Sequence, residues 1–229
     1  MSSKMPSIRT IPQTKTKTGT VIFLHGSGDS GKGIMEWIQS LVQNFSLPHI
    51  NFIFPTAPPK KYTPLNGQIS NVWFDRFDIR PDVPEHLETL DSTAEEIKSL
   101  IMKEVSHGTS LNRIVVGGFS MGGALALHLA YRYLPDVAGV FALSSFLNNG
   151  SVVYNTLKSN PPKRLPPLLM FHGLEDELVS VKWGEETFRN LKKLGVNGQF
   201  VPLNGTTHEL SKVELEELLK WIMDIVPEE

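Results

Sequence analysis

The sequence predicts an α/β protein built on a mostly parallel central sheet, with helices on both faces. Three observations carry this. Short runs that are apolar throughout recur along the chain, as in Thr20-Val21-Ile22-Phe23-Leu24 and Ile114-Val115-Val116. Strands covered on both faces read this way because neither side is left for polar residues. Between such runs lie segments with apolar residues three and four apart, such as Leu87, Leu90, Ala94, Ile97, Ile101 and Val105, which is one stripe of a helix. Finally, a chain of 229 residues, 40% hydrophobic and 20% charged, fits one domain with a sizeable core.

In chain order, residues 1–18 form a polar leading segment carrying Lys4, Arg9, Lys15 and Lys17, and the single domain is expected over 19–229. Residues 19–25 read as the first buried strand. A Gly-rich turn leads to a helix with Ile34, Trp37, Ile38 and Leu41, and 50–54 is a second strand. Residues 55–84 break the rhythm, with prolines at 55, 58, 59, 64, 81 and 84. A connection this long in a compact domain is usually functional. It leaves the carboxyl end of a strand, where α/β sheets build their sites, so it is expected to wall the site. The helix over 87–105, a strand at 114–116 and an apolar helix over 121–133 follow. Strands are then expected at 137–143, 168–171 and 199–203, with helices near 151–159 and 183–194, the latter stopped by Gly195. Ser211 and Glu214 are spaced as a capping box for a last helix with apolar face Leu215, Leu218, Leu219, Ile222 and Val226.

Composition excludes several classes. With 22 basic and 24 acidic residues the formal charge is −2, so no charge excess points to nucleic acid or an anionic membrane. The absence of cysteine rules out disulfides, thiolate metal sites, a cysteine nucleophile and palmitoylation of the chain itself. No apolar run follows the leading segment that could act as a signal-peptide core, and none approaches the ~20 residues of a membrane span. Ser2 stands where myristoylation needs glycine. A cytosolic protein is the expected default.

Gly118-Phe119-Ser120-Met121-Gly122 matches Gly-x-Ser-x-Gly. The pattern gains force from its setting, after a strand and at the head of a helix, where a strained turn lifts the serine hydroxyl out of the sheet. Glycines flank it because strand and helix pass too close for larger side chains. This is the nucleophile elbow of the α/β-hydrolase fold. A serine hydroxyl needs a general base, and the base an orienting acid, which follow in the order Ser, acid, His in this fold. His208, between the last strand and the last helix, is the expected base. His172, at a strand end, is expected to bond backbone instead. Glu175, Asp176 and Glu177 compete for the acid, and Asp176 is favoured because it stands one turn past the strand.

Gly26, Gly28 and Gly31-Lys32 imitate nucleotide-binding loops. Gly33 lacks the hydroxyl that would hold magnesium, and no acid lies between Glu36 and Asp75 to meet a ribose. The better reading gives these glycines to an oxyanion. The backbone N–H groups of Ser27 and Met121 are the expected donors.

With these pieces placed, the chain resembles the acyl-protein thioesterase and lysophospholipase-like family. The resemblance rests on Phe23-Leu24-His25-Gly26 with Gly28-Asp29, Phe54-Pro55-Thr56-Ala57-Pro58, Trp73-Phe74-Asp75, Gly117-Gly118-Phe119-Ser120, and His172-Gly173 with Asp176, in family order. It implies an α/β hydrolase with no separate lid domain that hydrolyses acyl thioesters or esters, with acylated proteins or small acyl esters as substrates and no metal or organic cofactor. The acyl-protein thioesterases proper carry leucine at the Ser27 position and glutamine at the Met121 position. Those departures leave the backbone donors in place and bear on substrate choice, so a preference for short acyl groups stands beside the long-chain reading. A catalytically idle scaffold is the third reading. Trp73 and Phe74 are candidate substrate-binding residues, with the plainer alternative that both rings anchor the long connection and Asp75 caps a turn. Oligomeric state is not legible.

Overall fold

The computed structural model describes residues 7–159 and 164–228; the start of the polar leading segment, with Lys4, lies outside them. Among the described residues nine strands and six α-helices follow in chain order: β1 (Ile8–Ile11), β2 (Gly19–Leu24), α1 (Gly31–Leu41), β3 (Ile50–Pro55), β4 (Pro59–Tyr62), β5 (Gln68–Asn71), α2 (Leu87–Ser106), β6 (Ile114–Phe119), α3 (Met121–His128), β7 (Gly139–Leu143), α4 (Val152–Ser159), β8 (Leu168–Gly173), α5 (Val181–Lys193), β9 (Gly198–Leu203) and α6 (Lys212–Ile225). The main sheet has the order β1-β3-β2-β6-β7-β8-β9. Every pairing in it is parallel except β1 with β3.

Side-chain alternation along the strands divides the core in two. Ile22, Leu24 and Val116 face a cluster with Ile97 of α2 and Leu125 of α3. Val21, Phe23 and Val115 face the other way, against Ile34 and Ile38 of α1 and Leu215, Leu218 and Ile222 of α6. This is the parallel sheet with both faces covered that the apolar runs predict. The capping box of α6 is present: Glu214 N–H donates to Ser211 Oγ at 3.3 Å and Ser211 N–H donates to Glu214 Oε1 at 2.6 Å. The apolar helix after the elbow runs to Tyr133, its last turn, Leu129–Tyr133, wound as a π-helix.

Two features depart from the expectation. The polar leading segment is not separate from the domain, because Ile8–Ile11 adds an antiparallel edge strand to β3. The Pro-rich connection is not irregular throughout, since β4 and β5 pair across a turn at Asn66 and Gly67, both with positive φ. Among the described residues no helix is long and apolar enough to cross a membrane.

Candidate active site

Ser120 stands between β6 and α3 with φ 53° and ψ −118°, a conformation costly for a residue with a Cβ. Packing enforces it. A Cβ at Gly118 would fall 2.3 Å from Leu24 O, and one at Gly122 would fall 2.2 Å from the same oxygen. Ser120 N–H donates to Leu143 O at 2.8 Å, and Ser145 Oγ donates to Ser120 O at 2.7 Å. The serine backbone is thus tied to β7 on one side, while the residue as a whole stays only partly buried.

His208 lies on the loop between β9 and α6, with its ring 4.8 Å from that of Phe119, centroid to centroid. Its Nε2 is 3.0 Å from Ser120 Oγ and its Nδ1 is 2.7 Å from Asp176 Oδ2. The carboxylate fixes the proton order. Its Oδ1 accepts N–H bonds from Leu178 at 3.0 Å and Val179 at 2.8 Å. Burial works against ionisation of Asp176, but hydrogen bonds from His172, His208 and Val179 outweigh it and hold the carboxyl well below its usual range. An ionised Asp176 only accepts, so His208 Nδ1 carries the proton and Nε2 is free to accept from Ser120 Oγ–H. Among the described residues Glu175 and Glu177 enter no such chain. His172 donates from Nε2 to Val179 O at 2.7 Å and lies 3.5 Å from Asp176 Oδ2, bracing the acid's loop.

The turn after β2 is held by a buried histidine. Burial pushes the His25 ring toward its neutral form. Its Nε2 then accepts Ala57 N–H at 2.9 Å, and its Nδ1–H donates to Gly26 O at 2.6 Å. The described residues contain no cis peptide, so fixing the Gly26 carbonyl aims the Ser27 N–H the opposite way. Neither Ser27 N–H nor Met121 N–H has a hydrogen-bond partner among the described residues. The two side chains meet, Ser27 Oγ donating to Met121 Sδ at 3.7 Å. The nucleotide-like spacing builds no phosphate cradle: Gly28 N–H is used by Asn71 O, Gly31 N–H by Thr56 Oγ1 and Gly33 N–H by Ser30 Oγ.

Ser120 and His208 open into a cavity of about 260 Å³. The long connection does wall it, through Tyr62, Arg76 and Ile79, joined by Trp37 of α1 and by Leu178 and Val179 after β8. Sequence reading missed these wall residues, which come from segments remote in the chain. Trp73 and Phe74 are not among them. Trp73 is fully buried, donates from Nε1 to His25 O at 2.8 Å and packs 4.8 Å from the His25 ring. Phe74 is buried beneath Arg76, whose guanidinium sits 5.1 Å above its ring. Both rings support the wall from behind, and Asp75 caps the turn by accepting Thr63 N–H at 2.8 Å.

Just beyond His208, Glu214 is buried, and burial pushes its carboxyl up from 4.5 to about 8, helped by nearby Glu209 and opposed by the Ser211 N–H bond. A raised folded-state pKa means that the native state binds this proton more tightly than the unfolded chain. Its contribution to stability is full below the unfolded value and is lost as pH rises through the folded one. Glu214→Gln keeps the acceptor for Ser211 and has no proton to lose. Its stability relative to the parent should therefore improve by about 2–4 kcal/mol from roughly pH 5 to pH 8, measured by denaturant unfolding. A difference that does not change with pH would show that Glu214 is ionised in the folded protein.

A strained serine at a strand–helix turn, a histidine within reach and a buried acid behind it, on a parallel sheet wrapped by helices, define a serine hydrolase of the α/β-hydrolase class. The family model described as Phospholipase/Carboxylesterase matches residues 5–225, and the chain belongs to that family. It is 51% identical over 220 residues to lysophospholipase-like protein 1 of Mus musculus, covering 96% of this chain and 92% of that protein. It is 33% identical over 224 residues to acyl-protein thioesterase 1 homolog 2 of Dictyostelium discoideum, covering 97% and 100%. The crystal structure of Zea mays acyl-protein thioesterase 2 superposes with a TM-score of 0.84 at 28% identity, over 96% of this chain and 99% of that one.

Proposed function

We propose that Ser120, His208 and Asp176 are the catalytic triad of an acyl ester and thioester hydrolase acting on acylated proteins and small acyl esters in the cytosol. The observation that carries the reading is the unbroken chain from Ser120 Oγ to His208 at 3.0 Å and from His208 to Asp176 at 2.7 Å. Ser120 Oγ attacks the acyl carbonyl while His208 Nε2 takes its proton, and Asp176 stabilises the imidazolium. The tetrahedral oxyanion rests on the N–H groups of Ser27 and Met121. His208 then protonates the departing thiolate or alkoxide, and water, deprotonated by the same ring, releases the acid from the acyl-enzyme. The names of the relatives support acyl groups on proteins as one substrate class.

The cavity favours short acyl groups. Its 260 Å³ is below the roughly 300–1,000 Å³ of pockets that enclose drug-sized ligands. A palmitoyl chain would leave many methylenes in water and forfeit ~0.8 kcal/mol for each. The test is kcat/KM for esters and thioesters from acetyl to palmitoyl, with Ser120→Ala as the blank. Efficiency should peak at short acyl groups and vanish in the blank. A steady rise toward palmitoyl would replace the short-chain reading with a long-chain one. Absence of Ser120-dependent turnover at every length would remove the hydrolase proposal and revive the scaffold.

A further inference from the structure

Arg76 lines the same cavity as Ser120 and His208. Its guanidinium is stacked between two rings, 5.1 Å from the Phe74 centroid and 5.5 Å from the Phe146 centroid. Among the described residues it has no hydrogen-bond acceptor and no ion-pair partner. Arg76 is half-buried on the cavity wall, and its guanidinium offers five donors in a fixed fork. Glu85 stands opposite it across an isolated backbone bridge and contributes a favourable charge, but among the described residues Glu85 makes no ion pair with the guanidinium. Its Oε1 lies 3.1 Å from His128 Nε2 and its Oε2 accepts Val152 N–H at 3.0 Å. The other charged group on the cavity wall is Asp29, whose Oδ1 is taken by Ser30 N–H at 2.7 Å. The protein thus holds a cation with unused donors beside its nucleophile.

We propose that Arg76 is a specificity residue that receives an anionic group of the substrate, a carboxylate or a phosphate, while Ser120 attacks the neighbouring carbonyl. Rings on its flanks fix the plane of the fork, and a paired carboxylate or phosphate oxygen set matches it bidentately. The inference rests on the Ser120 reading above. The anion can sit at the far end of a short acyl group or on the departing alcohol, and the chemistry at Arg76 is the same.

Two matched pairs of substrates separate these sources. One compares p-nitrophenyl butyrate with the p-nitrophenyl monoester of succinic acid, and the other compares butyrylglycerol with its glycerol phosphate counterpart. The quantity read is the ratio of kcat/KM for the anionic ester to that for its neutral partner, in the parent, Arg76→Gln and Arg76→Lys, with Ser120→Ala as the blank. In at least one pair Arg76→Gln should lower the ratio about 10- to 100-fold, mainly through KM, as loss of a charged hydrogen bond does, and Arg76→Lys should restore part of it. Whichever pair responds identifies the side of the ester that carries the anion. In the unsubstituted protein the ratio for that pair should also fall as ionic strength rises, a readout that does not depend on the variants folding. Ratios unchanged by substitution and by salt in both pairs overturn the proposal. Failure of the neutral esters to turn over would instead strike the hydrolase reading itself.

Discussion

Replacing Asp176 with asparagine lowers kcat by about four orders of magnitude and leaves the fold in place. The geometry gives the reason atom by atom. Oδ1 of Asp176 accepts two backbone N–H bonds, from Leu178 and Val179. In the variant the amide oxygen must stay there, because the amide nitrogen would point its hydrogens at two donors. The NH₂ group therefore faces His208 Nδ1, now 2.7 Å from the carboxylate Oδ2, and the ring answers with its other tautomer. Nε2 then carries the hydrogen and turns it toward Ser120 Oγ, so His208 cannot accept the serine proton. The backbone donors of Ser27 and Met121 are untouched, which leaves a residual rate above solution. Stability falls modestly at neutral pH. The native carboxyl is held below its unfolded value of 3.8, so its contribution is present above that value and lost as pH falls through the folded one. Steady-state kinetics with a short acyl ester, beside thermal unfolding of both proteins, checks the claim. A variant with parental kcat would move the orienting role to Glu175 or Glu177.

The parts of this molecule that were legible in the sequence are those set by local rules. Strands apolar on both faces, the 3.6-residue stripes of α2 and α6 and the Ser211–Glu214 box declare themselves within a few residues. The elbow does too, because strain at Ser120 demands small residues at fixed spacings. The edge strand was not legible. In Ile8–Ile11 only the two isoleucines turn partly inward while Arg9 and Thr10 are exposed, so polarity hid a pairing that only β3 supplies. The β4–β5 hairpin had a local signal in Asn66-Gly67, a pair suited to positive φ. Lys60, Lys61 and Gln68 beside it lack the apolar alternation that usually accompanies such a turn. The cavity wall was beyond reach for a different reason. Arg76, Ile79 and Leu178 become neighbours only after the connection is pinned, by Asn148 Nδ2 donating to Arg80 O at 3.1 Å and to Val83 O at 2.8 Å. The aromatic pair teaches the same point. Trp73 and Phe74 are near the site in sequence motif and in space, but large rings gain most by complete burial, and they act on the cavity through His25 and Arg76.

Gly122→Ala should damage both stability and activity. An added Cβ would stand 2.2 Å from Leu24 O, 2.6 Å from Leu24 C and 2.7 Å from His25 O. None of these atoms belongs to a side chain that could rotate away. Relief requires α3 and the end of β2 to separate, and those two segments carry the two halves of the proposed oxyanion site, Met121 on α3 and Ser27 beyond β2. Overpacking costs about 1–3 kcal/mol where side chains can adjust, and rigid backbone on every contact puts this site at or above the top of that range. Activity should suffer separately, since a shift near 1 Å between positioned groups costs on the order of a hundredfold in rate. The expected result is a lower unfolding midpoint together with a fall of about a hundredfold or more in kcat among molecules that remain folded. Gly150→Ala is the control, because a Cβ there meets nothing within 4 Å, and it should match the parent in both measurements. If Gly122→Ala also matched the parent, the elbow and the β2 turn would be able to move apart without cost, and the close approach of strand and helix would not be what holds Ser120 and the oxyanion donors in register.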